Sequence, residues 1–498
     1  MTISFTLNRP FQSTSFPVPS LPEEIQLHIF SYVGVKELYQ VQLVSKAFQR
    51  IAMDNKLWKE LFKSEYDKIF QKIARYARPS SFSSPDWHSL YREEARIEQN
   101  MKQGRYQRTN LCRHRDFIIC LKLAQGQLFS GSRDKKICIW DTDTELDDCS
   151  HVLKGHKGWI RCLKIAQGYL FSGSEDSTIR IWDIKKRKLV RVLTGHTRGI
   201  YCLKIAQGKL FSGSSDRTIK VWDIETGNLL HDLKAHEDWV RCLKIAQGKL
   251  FSGSTDNTIC VWDEQTGERL DTLIGHRYTV KCLKIAEDKL FSGSCDATIR
   301  VWNVHTGELM AILEGHADTI NCLQVKDNKL YSASDDKTIR IWDLHAGELL
   351  HILRGHTDRV QCLKTEHGKL FSGAEDNTVR IWNAHTGELL HTLKGYNDYV
   401  TCLKLAQGRL FSGADDSKIC RWDFTSYATL LPGPMEMENE RETIPLDEET
   451  AAWRRRLRPF MKNRRGFEED EMHLMPTKTL QEKDKDMVPP PKKKRKIS

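Results

Sequence analysis

Tryptophan recurs at Trp140, Trp182, Trp222, Trp262, Trp302, Trp342, Trp382 and Trp422, 42 residues apart once and then 40 apart six times. A fixed period in this range constrains the fold more than composition can, because each unit must be one supersecondary element laid down again and again. One text surrounds each tryptophan, for example LKIAQGKLFSGSSDRTIKVWDIETGNLLHDLKAH from Leu203 to His236. Within it, short runs rich in Ile, Val, Leu, Phe and Thr are cut by turn signals, first Gln-Gly, then Ser-x-Asp, then Thr-Gly. That pattern gives four strands per unit. A four-stranded sheet of this size cannot bury both faces alone. Radial stacking against its neighbours does so, and closing the ring leaves only short edges.

Charge and cysteine usage then remove function classes. The chain has 498 residues and a formal net charge of +11. Residues 1–106 carry +4, residues 432–498 carry +2, and the remaining +5 is spread over the 325 residues between. A surplus so dilute is not the clustered footprint of a nucleic-acid binder. No run approaches the ~18 apolar residues of a membrane helix. The start lacks a secretory signal pattern, so an intracellular chain with no membrane partner is expected. Eight of the fourteen cysteines, from Cys120 to Cys402, fall in phase with the repeat, and no CxxC pair exists. Neither a zinc site nor a disulfide framework is expected, and cysteine reads as a small hydrophobe. No metal or cofactor is called for.

Residues 107–431 resemble the WD-repeat β-propellers, and eight in-phase tryptophans then imply eight blades. The expected fold class is an all-β eight-bladed propeller preceded by an all-α segment and followed by a disordered tail. Ring closure has two candidates, a strand near Gln107–Cys112 or one at Tyr427–Leu431. The resemblance also implies a buried tetrad in each blade, such as His196, Ser212, Asp216 and Trp222. Blade eight departs, with Tyr396 in place of histidine. Ser, His and Asp together could suggest a hydrolase triad. A set repeated in phase and tied to tryptophan is structural instead, and no catalytic residue is expected.

Upstream, Phe16–Phe62 reads FPVPSLPEEIQLHIFSYVGVKELYQVQLVSKAFQRIAMDNKLWKELF. Ser20 and Leu21-Pro22-Glu23-Glu24 make a helix start, with acids where the macrodipole favours them. Ile25, Ile29 and Phe30 share a helical face, and Val41, Val44, Ser45 and Phe48 mark another. Leu57-Trp58 closes the segment. This resembles the F-box, which implies that these residues, with Leu38, bind a Skp-type adaptor that leads to a cullin–RING ubiquitin ligase. Residues 63–106 resemble the helical linker of F-box/WD-repeat receptors, and residues 1–15 read as a flexible start.

In WD-repeat propellers, partner-binding side chains come from the positions one and three before the in-phase cysteine and from the residue before the turn aspartate. By that resemblance, Arg133, Trp159, Arg161, Tyr201, Trp239, Arg241, Lys281 and Arg359 are candidates for capturing protein substrates. Bases and aromatics dominate blades one to five, with Glu175 the single acid, while Asp335, Glu375 and Asp415 gather in blades six to eight. Trp and Arg carry most binding energy at interfaces, and the arginine fork suits phosphate. The expected ligand is a short acidic or phosphorylated peptide.

Residues 432–498 lack periodicity and have a disordered composition. Lys492, Lys493, Lys494, Arg495 and Lys496 resemble a nuclear-localisation signal, so the expected compartment is the nucleus, alone or with the cytoplasm. The whole reads as a non-catalytic substrate-recognition subunit of an SCF-type ubiquitin ligase. The alternative is a WD-repeat scaffold without ubiquitin transfer.

Overall fold

A computed structural model describes residues 54–65, 87–142 and 149–425. The adaptor-binding residues from Leu21 to Phe48, the competing closing strand and the basic cluster Lys492–Lys496 lie outside the described residues. Eight four-stranded antiparallel sheets make up an eight-bladed propeller. Blade three is representative, with strands Ile200–Ala206, Lys209–Ser214, Thr218–Asp223 and Leu229–Lys234 in order from the channel outward. Its first turn, Gln207-Gly208, has φ of 46° and 74°. Two successive left-handed residues match the twist of a hairpin, and glycine takes the second without strain.

The cores lie between blades rather than within them. Phe211, Ile219 and Val221 of blade three pack with Val240, Leu250 and Trp262 of blade four. Ile118, Leu128 and Trp140 of blade one pack with Leu111, Phe411 and Ile419 of blade eight, so the last interface is as filled as the others. Closure comes from the N-terminal candidate. Strand β1 (Gln107–Leu111) pairs antiparallel with the third strand of blade eight (Ile419–Asp423), from Gln107 opposite Asp423 to Leu111 opposite Ile419.

The tetrads form as the resemblance implied. In blade three, His196 Nδ1 lies 2.7 Å from Asp216 Oδ2, His196 Nε2 lies 2.8 Å from Ser212 Oγ, and Trp222 Nε1 donates to Ser212 Oγ at 2.9 Å. The carboxylate only accepts, so Nδ1 donates to it and the serine hydroxyl donates to Nε2. Ser212 is fully buried beneath the indole, out of reach of any substrate. Blade one uses His114, bonded to Ser130 and Asp134, which the sequence reading did not single out. In blade eight the Tyr396 hydroxyl bonds Ser412 and accepts from Trp422 Nε1 at 3.2 Å, so the network survives the substitution.

Among the described residues, two helices precede the ring. Asp54 Oδ1 accepts from the amides of Lys56 and Leu57 and so caps α1 (Asn55–Glu65). Helix α2 (Trp87–Gln103) puts Ile97 and Met101 into the core between blades seven and eight, and Asn100 Nδ2 donates to the Phe424 carbonyl at 2.7 Å. Leu57 and Trp58 are the two expected adaptor-binding residues that fall among the described residues. They are buried, and the Trp58 ring sits 4.5 Å from His88 and 5.2 Å from Tyr91 of α2. In this structure the Trp58 ring is covered by the linker helix.

Candidate functional site

The rim residues owe their position to a repeated backbone irregularity. In blade three, Ile200 pairs with Ser214 and Cys202 with Gly213, so Tyr201 is an extra residue in the inner strand. The same shift falls at Arg161 and Arg241. A β-bulge bends its strand and re-aims the side chain it carries. The two other rim positions are tied together by backbone: the Glu175 amide donates to the Trp159 carbonyl and the Thr255 amide to that of Trp239, both at 2.9 Å.

These side chains assemble into one ladder of alternating cations and rings. Arg133 lies 5.1 Å from the Phe117 ring centroid and 4.0 Å from that of Trp159. Arg161 lies 4.8 Å from Trp159 and 5.0 Å from Tyr201. Arg241 lies 5.3 Å from Tyr201 and 5.5 Å from Trp239, and those two rings stack with centroids 5.5 Å apart. Each cation–π contact is worth ~0.5–2 kcal/mol and holds its guanidinium in a fixed plane. Tyr201 is the spacer between two arginines.

The i and i+14 positions of each blade face one another across this rim, and they differ in how their polar atoms are satisfied. Arg161 Nε donates to Glu175 Oε2 at 2.8 Å, Asn321 Nδ2 to Asp335 Oδ1 at 2.6 Å, and Gln361 Nε2 to Glu375 Oε1 at 2.7 Å. Blade four has no such bond. Its pair is Arg241 and Thr255, and both Arg241 Nε and Thr255 Oγ1 are buried with no hydrogen-bond partner among the described residues. A buried polar group left so costs ~1–3 kcal/mol. An anionic oxygen placed there would do for Arg241 what Glu175 does for Arg161.

Two expected residues stand apart from the ladder. Lys281 Nζ donates to Asn321 Oδ1 at 2.8 Å, turned toward blade six. Arg359 is exposed on blade seven. On that side the surface is acidic: burial first, then the Asp398 and Glu375 carboxylates, push Asp415 up to about 6. The rim is thus dipolar, basic and aromatic over blades one to four and acidic over six to eight. Among the described residues no three His, Cys, Asp or Glu side chains are placed to hold a metal, and no helix is long and apolar enough to cross a membrane.

Comparison with known proteins adds two modules. Residues 18–64 match the F-box-like family, residues 347–383 and 387–423 the WD domain, G-beta repeat, and residues 121–325 the TEP-1 second beta-propeller. An F-box protein of Saccharomyces cerevisiae is 28% identical over 145 residues, which is 25% of this chain and 23% of that protein. A probable E3 ubiquitin ligase complex SCF subunit sconB of Arthroderma benhamiae is 27% identical over 26% of this chain and 23% of its own length. An F-box and WD repeat domain-containing 11-A of Danio rerio is 28% identical over 28% of each chain. The matches therefore span about a quarter of these relatives' length. Among solved structures, the computationally designed Ika8 protein is 32% identical with a TM-score of 0.59, over 62% of this chain and 97% of that one. With an F-box-like segment ahead of WD repeats that close into eight blades, the chain belongs to the F-box/WD-repeat family.

Proposed function

We propose that the chain is a substrate-recognition subunit of an SCF-type ubiquitin ligase, in which the F-box docks a Skp-type adaptor and the propeller rim captures a short acidic or phosphorylated segment. The observation that carries the rim assignment is the unpaired Arg241 Nε and Thr255 Oγ1, beside a ladder that already fixes the guanidinium. A carboxylate or phosphate oxygen accepts from both, and Trp239, 36% exposed, supplies an apolar wall. The acidic half of the rim favours basic residues flanking that anion. The role is one of binding and placement: helix α2, packed between blades seven and eight, sets where a captured segment sits relative to the adaptor, and proximity drives transfer.

The test is co-purification from a eukaryotic lysate. Wild type should recover a Skp-type adaptor, a cullin and client proteins. Leu21→Ala/Pro22→Ala/Ile25→Ala should lose the adaptor and cullin but keep clients, and Arg161→Glu/Arg241→Glu should do the reverse. Failure of wild type to recover any adaptor would leave a propeller scaffold without ubiquitin transfer. The nuclear assignment belongs to this proposal too: deleting residues 492–496 should move a fluorescent fusion out of the nucleus.

A further inference from the structure

The innermost strands carry a second periodic feature. Two residues after each in-phase cysteine stands a lysine, from Lys122 in blade one to Lys404 in blade eight, with Gln324 in its place in blade six. These side chains are half-buried and occupy the same register of eight strands that surround one channel. Each interacts with ammoniums up to two blades away around the ring. Lys122 feels the ammoniums of Lys164 in blade two, Lys364 in blade seven and Lys404 in blade eight, and Lys164 feels that of Lys244 in blade four. In blade five, Lys284 Nζ donates to Gln324 Oε1 at 3.0 Å.

The titratable groups acting on Lys122, Lys164, Lys204, Lys284 and Lys404 are other lysines and the neutral thiols of the cysteine ring. Burial first, then the neighbouring ammoniums, hold Lys122 down at about 6 and Lys204 at about 7, with Lys284 and Lys404 at about 8. The charges that follow two residues along the same strands are Lys326, next to His367, and Glu366, next to Glu94 of α2. Seven convergent amines whose charged forms repel one another make a site whose charged state a counter-anion would stabilise.

We propose that the channel of the propeller binds a compact anion bearing several phosphate groups, held by the lysine ring. Such a ligand is distinct from the rim peptide. It replaces repulsion among ammoniums by attraction and bridges blades that contact each other only through their neighbours. Binding restores the charged form of Lys122 and Lys204, so near pH 8 it must draw protons from the buffer.

Tripolyphosphate titrated into the full-length protein by calorimetry tests this. Saturable binding is expected, with an observed enthalpy that depends on the buffer's ionisation enthalpy in the sense of proton uptake. Basic clusters of ordinary lysines and arginines, such as those in the tail, take up no protons at this pH. Lys122→Gln/Lys204→Gln/Lys404→Gln places at three positions the side chain blade six already carries, and should weaken binding about a hundredfold. Gln324→Lys, which completes the ring, should tighten it. Arg161→Gln/Arg241→Gln should leave it unchanged. Absence of proton uptake, equal affinity in the triple variant, no gain from Gln324→Lys, or loss in the arginine variant would each overturn the assignment.

Discussion

Removing the tetrad serine should destabilise blade three far more than blade eight. In Ser212→Ala, the buried Trp222 Nε1–H loses its acceptor at 2.9 Å and His196 Nε2 loses its donor at 2.8 Å. Two buried polar groups are then unmatched, at ~1–3 kcal/mol each, for a total of about 2–6 kcal/mol. In Ser412→Ala the Trp422 indole keeps the Tyr396 hydroxyl as acceptor at 3.2 Å. At most one group is left unmatched, the hydroxyl proton of Tyr396, so the cost is about 1–3 kcal/mol and the difference is of the same size. Urea unfolding followed by both tryptophan fluorescence and circular dichroism reads these values, provided the two probes coincide and the slope is unchanged. Equal losses in the two variants, or a larger loss in blade eight, would refute the tyrosine's role as a fallback acceptor.

Three further outcomes follow from the electrostatics. Glu175→Gln releases the Arg161 guanidinium from its 2.8 Å ion pair, so an acidic peptide should bind several-fold more tightly in an anisotropy titration; weaker binding would mean that Glu175 positions Arg161 rather than competes for it. Burial alone would raise the tetrad carboxyls, but hydrogen bonds from histidine and threonine hold those of Asp176, Asp216, Asp256, Asp296, Asp336 and Asp376 far below an unfolded aspartate near ~4. Their contribution to stability is therefore complete above pH ~4 and lost as pH falls below it, and a urea midpoint that stays flat between pH ~4 and ~2.5 would contradict this. Lys122 has the opposite sign: held at about 6 against ~10.4 unfolded, it penalises the fold most below pH 6, less as pH rises, and not at all near pH ~10. Lys122→Gln should accordingly raise the thermal midpoint at pH 7 and lose that advantage at pH ~10.

The blades were legible in the sequence because Trp, the Gln-Gly turn and the Ser-x-Asp turn repeat in phase, and local turn chemistry plus burial dictates each sheet. Closure by Gln107–Leu111 was legible only as one of two options, since strand pairing between chain ends separated by the whole ring leaves no periodic trace. The packing of Trp58 against His88 and Tyr91 of α2 was not legible, because a helical stripe does not encode what covers it. The rim positions could be read from the repeat, yet the cation–π ladder and the unpaired Arg241–Thr255 couple depend on side-chain geometry that no spacing reports. The lysine ring lay in plain view in Cys-Leu-Lys. Its meaning comes from closure, which turns one lysine per strand into seven facing a common space.

The most direct test of rim recognition is a titration of the full-length protein with a short acidic peptide, its phosphorylated form and a charge-matched basic peptide. Wild type should bind the acidic and phosphorylated peptides, and Arg161→Glu/Arg241→Glu should lose about a hundredfold or more, two charge-assisted contacts at ~1.5–3 kcal/mol each. Undiminished binding by that variant, or a preference of wild type for the basic peptide, would contradict capture at Arg241.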